Sequence, residues 1–170
     1  MRFQKNRKMK IIETDAFEAY SLVLARAECC DAAALGAAER ECFASDPWSE
    51  KMFSDALENP SCHIYILADM QMTKIVAYAV MYVCFDEGDL ANIAVIPSEQ
   101  KKGLGAALLD NILENAVRSG VERIFLEVRE SNEPARRLYT SRGFKEIGIR
   151  KKYYRDPVED AHIMAWSRKE

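Results

Sequence analysis

The sequence is short of the features that mark several protein classes. Its longest uncharged apolar run, Ile75 to Phe85, ends at Asp86-Glu87 and falls well short of the ~18 residues a membrane-spanning helix requires. The five cysteines (Cys29, Cys30, Cys42, Cys62, Cys84) are odd in number and show no C-x-x-C spacing. Neither a disulfide framework nor a zinc site follows, and they read as small buried hydrophobes in a reducing compartment. The two histidines, His63 and His162, have no partner at metal-ligand spacing, so structural roles and no metal are expected. Cationic excess is also missing. Lys and Arg number 24 against 27 Asp and Glu, a net charge of −3, which argues against a general nucleic-acid binder held by phosphate contacts. Residues 1–9 are basic but are followed by Glu13 and Asp15 rather than a signal-peptide apolar region. They read as a solvated tail, and the expected location is the cytoplasm.

What is present is globular in composition: 170 residues, 49% hydrophobic and 30% charged. At ~150 residues per domain this predicts one domain over 1–170. The coarse pattern is mixed α/β. A short strand is predicted over 8–13, then a helix from Asp15 to about Cys30 on the recurrence of Phe17, Tyr20, Leu24 and Ala27. Further helices are predicted over 32–43 and, capped by Ser49, through Leu57. Strands follow at 62–69, 74–85 and 90–96. After Gly103 the period changes to that of an amphipathic helix, with Leu104, Leu108, Leu109, Ile112, Leu113 and Ala116 in one stripe, stopped by Gly120. Residues 121–129 alternate as a strand with Glu127 and Phe125 on one face. Asn132 caps a short helix that ends at Arg142-Gly143, and strands at 144–154 and 162–167 close the chain.

The turn Gln100-Lys101-Lys102-Gly103-Leu104-Gly105 stands between a strand and a strong helix. The first amides of that helix lack internal partners and can bind an anion, with Lys101 and Lys102 adding positive charge. A Walker loop is excluded, because Ala106-Ala107 follow Gly105 where Lys-Ser/Thr is needed. A dinucleotide fingerprint lacks its third glycine, since Leu108 stands there. A diphosphate cradle and a plain helix-start turn both fit the loop taken alone.

The larger pattern resembles the GNAT superfamily of N-acetyltransferases. Gln100-x-x-Gly103-x-Gly105 after Ala94-Val95 is similar to its coenzyme A pyrophosphate loop, and Leu126 to Phe144 looks like its second characteristic block. Cys42-Phe43, Pro47-Trp48-Ser49-Glu50, Asn92 to Val95, Leu126 to Arg129, Tyr153-Tyr154 and Glu159-Asp160-Ala161 are similar to the RimI-type family. That bacterial family acetylates the N-terminal alanine of a small-subunit ribosomal protein. The likeness spans roughly residues 42–166, and the first forty residues carry little of it.

The resemblance implies an acyl-CoA N-acyltransferase fold of α/β (α+β mixed) class, with a central, mostly antiparallel sheet flanked by helices. It implies acetyl-CoA as co-substrate, held by Ile93, Ala94, Val95, Lys101, Lys102, Gly103, Leu104, Gly105, Ala106 and Asn132, with the Val95 amide facing the thioester oxygen. Glu127 is the implied general base, its pKa expected to rise by desolvation; a carboxylate paired with Arg129 or Arg123 is the other reading. Tyr139 is the implied general acid, or a core tyrosine. Trp48, Tyr153 and Tyr154 suit an acceptor groove or rim packing. Glu159 and Asp160 suit a basic residue of the acceptor or a solvated acidic turn. The acceptor is expected to be the N-terminal segment of a ribosomal protein, met by a monomer or weak dimer without direct contact to nucleic acid or membrane. A GNAT enzyme acting on a small amine or lysine side chain, and a coenzyme A-binding regulatory module, are the competing functions.

Overall fold

The computed structural model of the chain describes residues 10–12, 14–71 and 73–168. Its elements are β1 (Lys10–Ile11), β2 (Leu22–Arg26), α1 (Ala32–Cys42), α2 (Glu50–Glu58), β3 (Cys62–Asp69), β4 (Ile75–Cys84), β5 (Glu87–Val95), α3 (Leu104–Arg118), β6 (Arg123–Arg129), α4 (Glu133–Ser141), β7 (Lys145–Arg155) and β8 (Val158–Ser167). Short 3-10 turns occupy Asp15–Tyr20, Cys29–Asp31 and Pro97–Glu99.

The helix expected from Asp15 to Cys30 is not formed. A 3-10 turn ends where Ser21 takes the left-handed conformation (φ 54°), and Leu22–Arg26 then becomes β2. Tertiary pairing overrides the apparent helical spacing: Leu22 to Arg26 lie antiparallel to Asp69 to Tyr65 of β3, and Leu24 and Ala25 are buried. Of the strand expected over 8–13, Lys10–Ile11 is β1; residues 8, 9 and 13 lie outside the described residues. The cysteine reading also needs correction. None of the five is in a disulfide, but Cys29, Cys30 and Cys84 are exposed and Cys42 and Cys62 are half-buried.

The chain falls into two compact units, Met1–Met81 with Asn92–Leu109, and Tyr82–Ala91 with Asp110–Glu170. In the first, β1, β2, β3 and β4 are successive neighbours, and Leu24, Leu35, Phe53, Ile66 and Tyr78 are fully buried. Each such side chain contributes roughly 1.5–3 kcal/mol over leaving it in water. Ser49 caps α2 through Oγ to the Met52 amide (3.2 Å), as its sequence position predicts. Gly36 of α1 lies so near α2 that a Cβ there would sit 3.3 Å from the Glu50 nitrogen.

In the second unit the neighbour order is β5, β6, β8, β7, so β8 separates β6 from β7. β5 and β6 are parallel, whereas β6–β8 and β8–β7 are antiparallel. Alternation along β6 buries Ile124, Leu126 and Val128 and leaves Phe125, Glu127 and Arg129 half-buried on the other face. Asn132 caps α4 with Oδ1 to the Ala135 amide (3.2 Å), and Pro134 is accommodated in the first turn. Among the described residues no helix is long and apolar enough to cross a membrane.

Candidate active site

The first unit carries the turn from Gln100 to Gly105. Ala94 is buried at the end of β5, with Ile93 and Val95 half-buried beside it. Gln100 folds back so that its side-chain amide donates to the Val95 carbonyl (3.0 Å), tying the turn to the strand it follows. Lys101 (φ 63°) and Gly103 (φ 80°) both take the left-handed conformation, and open space surrounds the position of a Gly103 Cβ. The second residue is therefore glycine for its backbone, not for want of room beside it. Ala107 makes the first α3 hydrogen bond, to the Gly103 carbonyl (3.0 Å). The amides of Leu104, Gly105 and Ala106 precede it in the turn where helices bind anions. Lys102 is held by Glu99 (2.8 Å), and its carbonyl accepts from the Tyr20 hydroxyl (3.1 Å). Lys101 is exposed.

Trp48 also belongs to the first unit. Its ring packs on Phe53 (centroids 5.4 Å apart), and Phe53 meets Tyr78 edge-on at 5.8 Å. Its backbone amide donates to Glu39 Oε1 (3.1 Å). Sequence reasoning missed Glu39, which is 2% exposed. The alanine-rich helix around it gave no sign that one of its carboxylates turns inward.

The second unit brings together Glu127, Tyr153 and a cation absent from the expectation. Glu127 Oε1 pairs with Arg150 of β7 at 2.7 Å, not with Arg129 or Arg123. Its side chain is 28% exposed, so the carboxylate sits at an open face beside a guanidinium rather than in a closed apolar pocket. Arg150 also stands over the Tyr153 ring at 5.4 Å. A hydrogen bond to Glu127 and then partial burial push the Tyr153 phenol above its ordinary range. Asp89 of β5 joins this group. Although the residue has an exposed side, the atoms packed around its carboxyl, and then the charge of Glu127, raise its pKa. Asp89 was missed because its neighbourhood is created by the parallel pairing of Asp89 with Phe125.

Tyr139 of α4 is 7% exposed and lies 5.6 Å from the Phe144 ring. Burial, then the neighbouring Tyr154, raises its phenol far above the usual value, so it stays protonated throughout the working range. Glu159 and Asp160 are already engaged. Glu159 accepts from Arg129 (2.7 Å) and the Ser131 amide (3.1 Å); Asp160 accepts from Lys151 Nζ (2.5 Å) and the Lys152 amide (2.8 Å). Arg129 further donates to the Asp156 carbonyl (3.2 Å) and lies 4.0 Å from the Tyr154 ring centre. Burial pushes the Tyr154 phenol up to about 12. These contacts staple the β7–β8 turn to the segment that leads into Asn132. A basic acceptor residue would have to compete with Arg129 or Lys151 for either carboxylate.

The histidines have structural partners: His162 Nδ1 meets Glu146 at 2.7 Å, and His63 meets Arg26. Among the described residues no cluster of three or more His, Cys, Asp or Glu could hold a metal ion. A cleft of about 570 Å³ lies elsewhere, lined by residues such as Ile11, Asp15, Leu22 and Met70. It contains none of the residues implicated above.

Comparison with known proteins gives a consistent result. Residues 32–144 match the Acetyltransferase (GNAT) family. The ribosomal protein bS18-alanine N-acetyltransferase of Escherichia coli K12 is 43% identical over 121 residues, covering 70% of this chain and 80% of that protein. Its Haemophilus influenzae counterpart is 35% identical over 146 residues, covering 84% and 97%. The crystal structure of the Escherichia coli ribosomal-protein-alanine N-acetyltransferase superposes with a TM-score of 0.79 at 37% identity, covering 86% of this chain and 93% of that one. Ard1 from Thermoplasma volcanium, at 19% identity, shares the fold with a TM-score of 0.78, covering 88% and 99%.

Proposed function

Because the chain belongs to the GNAT acetyltransferase family, and is an N-acetyltransferase on that ground, we propose that it acetylates the N-terminal alanine of a small-subunit ribosomal protein. The observation that carries the reading is the 35–43% identity, over most of the chain, to proteins named for that reaction. Acetyl-CoA supplies the activated acetyl group as a thioester. The loop amides of Leu104, Gly105 and Ala106 suit its diphosphate, Asn132 its pantetheine arm, and the Val95 amide the carbonyl oxygen as charge develops there.

An α-amino group with a pKa of about 8 is easier to deprotonate than lysine at about 10.4, by ~3 kcal/mol. A modest base therefore suffices, and Glu127 takes this role, accepting the proton from the acceptor ammonium directly or through water. The amine nitrogen then bonds to the acetyl carbon, the carbon–sulfur bond breaks with its electron pair leaving on sulfur, and Tyr139 gives its phenolic proton to that sulfur. The second proton on nitrogen is lost to solvent, from which the Tyr139 phenolate is reprotonated. A buried, protonated Tyr139 favours this assignment. Trp48 and Tyr153 are assigned to the acceptor peptide, with Glu159 and Asp160 at its basic residues. A ribosomal protein substrate places the enzyme in the cytoplasm.

The test is intact-mass analysis of a peptide carrying the bS18 N-terminus after incubation with enzyme and acetyl-CoA, alongside polyamines and a lysine peptide with a blocked N-terminus. One acetyl group on the alanine peptide is expected. Robust transfer to the small amines with none to that peptide would overturn the proposal.

A further inference from the structure

Glu39 is a buried carboxylate for which the reaction above has no use. Its oxygens take three donors from three places in the same unit: the Trp48 amide in the α1–α2 connection (3.1 Å), the Asn92 side-chain amide on β5 (3.0 and 3.3 Å) and the Tyr78 hydroxyl on β4. None of these donors carries a charge. Burial is the largest influence on its pKa and raises it, while the Trp48 and Asn92 hydrogen bonds oppose the rise. An apolar residue would spare the cost of burying this group, so its place calls for a role beyond filling space.

The partners point to that role. Trp48 is the candidate acceptor residue of the α1–α2 connection, and Asn92 immediately precedes Ile93-Ala94-Val95. The connection is held at α2 by the close approach of Gly36 to Glu50, and the Trp48 ring packs on Phe53, which in turn meets Tyr78 edge-on. Glu39 joins the Trp48 backbone to the β5 strand through the Asn92 side chain. We propose that Glu39 is a positioning residue that fixes the Trp48 segment against β5 and thereby sets the enzyme's hold on its acceptor. The proposal rests on the acceptor role given to Trp48 above.

The test uses Glu39→Met, which keeps length and apolar volume but removes the acceptor, in the full-length enzyme. Loosening of the Trp48 segment should raise KM for the alanine peptide at least about tenfold while leaving KM for acetyl-CoA within about twofold. Tyr78→Phe, which removes one donor and keeps the ring stack, should change the same ratio by about two- to threefold. In a Trp166→Phe background, Glu39→Met should shift the Trp48 emission to the red. An unchanged acceptor KM in a folded variant would overturn the proposal, as would a parallel rise in both KM values. Should Glu39→Met fail to fold, Asn92→Leu combined with Tyr78→Phe decides by the same ratio. If the parent enzyme modifies a different amine, the ribosomal reading fails, but the Trp48 emission and the KM ratio for that amine still decide the role of Glu39.

Discussion

Glu39 and Glu127 place carboxylates in opposite surroundings. Glu39 is almost wholly buried and meets donors that carry no charge, an amide, a carboxamide and a phenol. Glu127 is more than a quarter exposed and meets a guanidinium that is itself 56% exposed. The first arrangement ties three chain segments together, because an unpaired donor or acceptor in the interior is costly. The second is open to exchange, because a solvent-facing ion pair contributes little to stability and can yield to an incoming ammonium. A rigid tie and an exposed ion pair thus reside in different regions of one small protein.

The contrast can be broken most severely at Glu127. Glu127→Gln keeps the shape and removes the base proposed above, so kcat should fall about 10²–10⁴-fold with little change in melting temperature. A loss of less than tenfold in steady-state turnover would move the role elsewhere, with Asp89 the first group to examine. Tyr139→Phe should lower kcat about ten- to a hundredfold by removing the proposed proton donor to sulfur. Because burial keeps the Tyr139 phenol protonated, the parent pH–rate profile should show no basic limb that vanishes in Tyr139→Phe.

Smaller effects sharpen the comparison through pH. Burial pushes the Glu159 carboxyl up, but hydrogen bonds from Arg129 and Ser131 outweigh it and hold it below the usual range. Its contribution is therefore full above the unfolded-state value of about 4.3 and is lost as pH falls through the folded value. Glu159→Gln should cost about 1 kcal/mol at pH 7, with the melting difference closing in acid. Glu39 has the opposite sign: its folded pKa is raised, so its contribution is greatest below the unfolded value and is lost as pH rises through the folded one. Smallest of all is Lys51→Ala, which breaks an exposed ion pair with Asp55 (3.0 Å) and should shift stability by less than about 0.5 kcal/mol in thermal unfolding.

Much of the candidate site was legible where the signal was local. The Asn132 cap, the Ser49 cap and the alternation of β6 all depend on residues within one turn or one strand. Illegible were the features made by distant segments. The β2 strand was hidden because Phe17, Tyr20 and Leu24 imitate helical spacing, and only pairing with β3 reveals it. Arg150 could not be matched to Glu127 from spacing alone, since it reaches across β8 from β7, which does not itself pair with β6. The engagement of Glu159 and Asp160 escaped notice for the same reason, as Arg129 and Lys151 come from other strands.

By itself, then, the sequence determined the family, the order of most elements, and which residue types could cradle a diphosphate or move a proton, because backbone conformation and amphipathic period are set by near neighbours. The tertiary structure alone decided which charges meet. It turned Glu39 inward to three neutral donors and gave Glu127 an arginine, because strand register and side-chain reach are properties of the assembled fold.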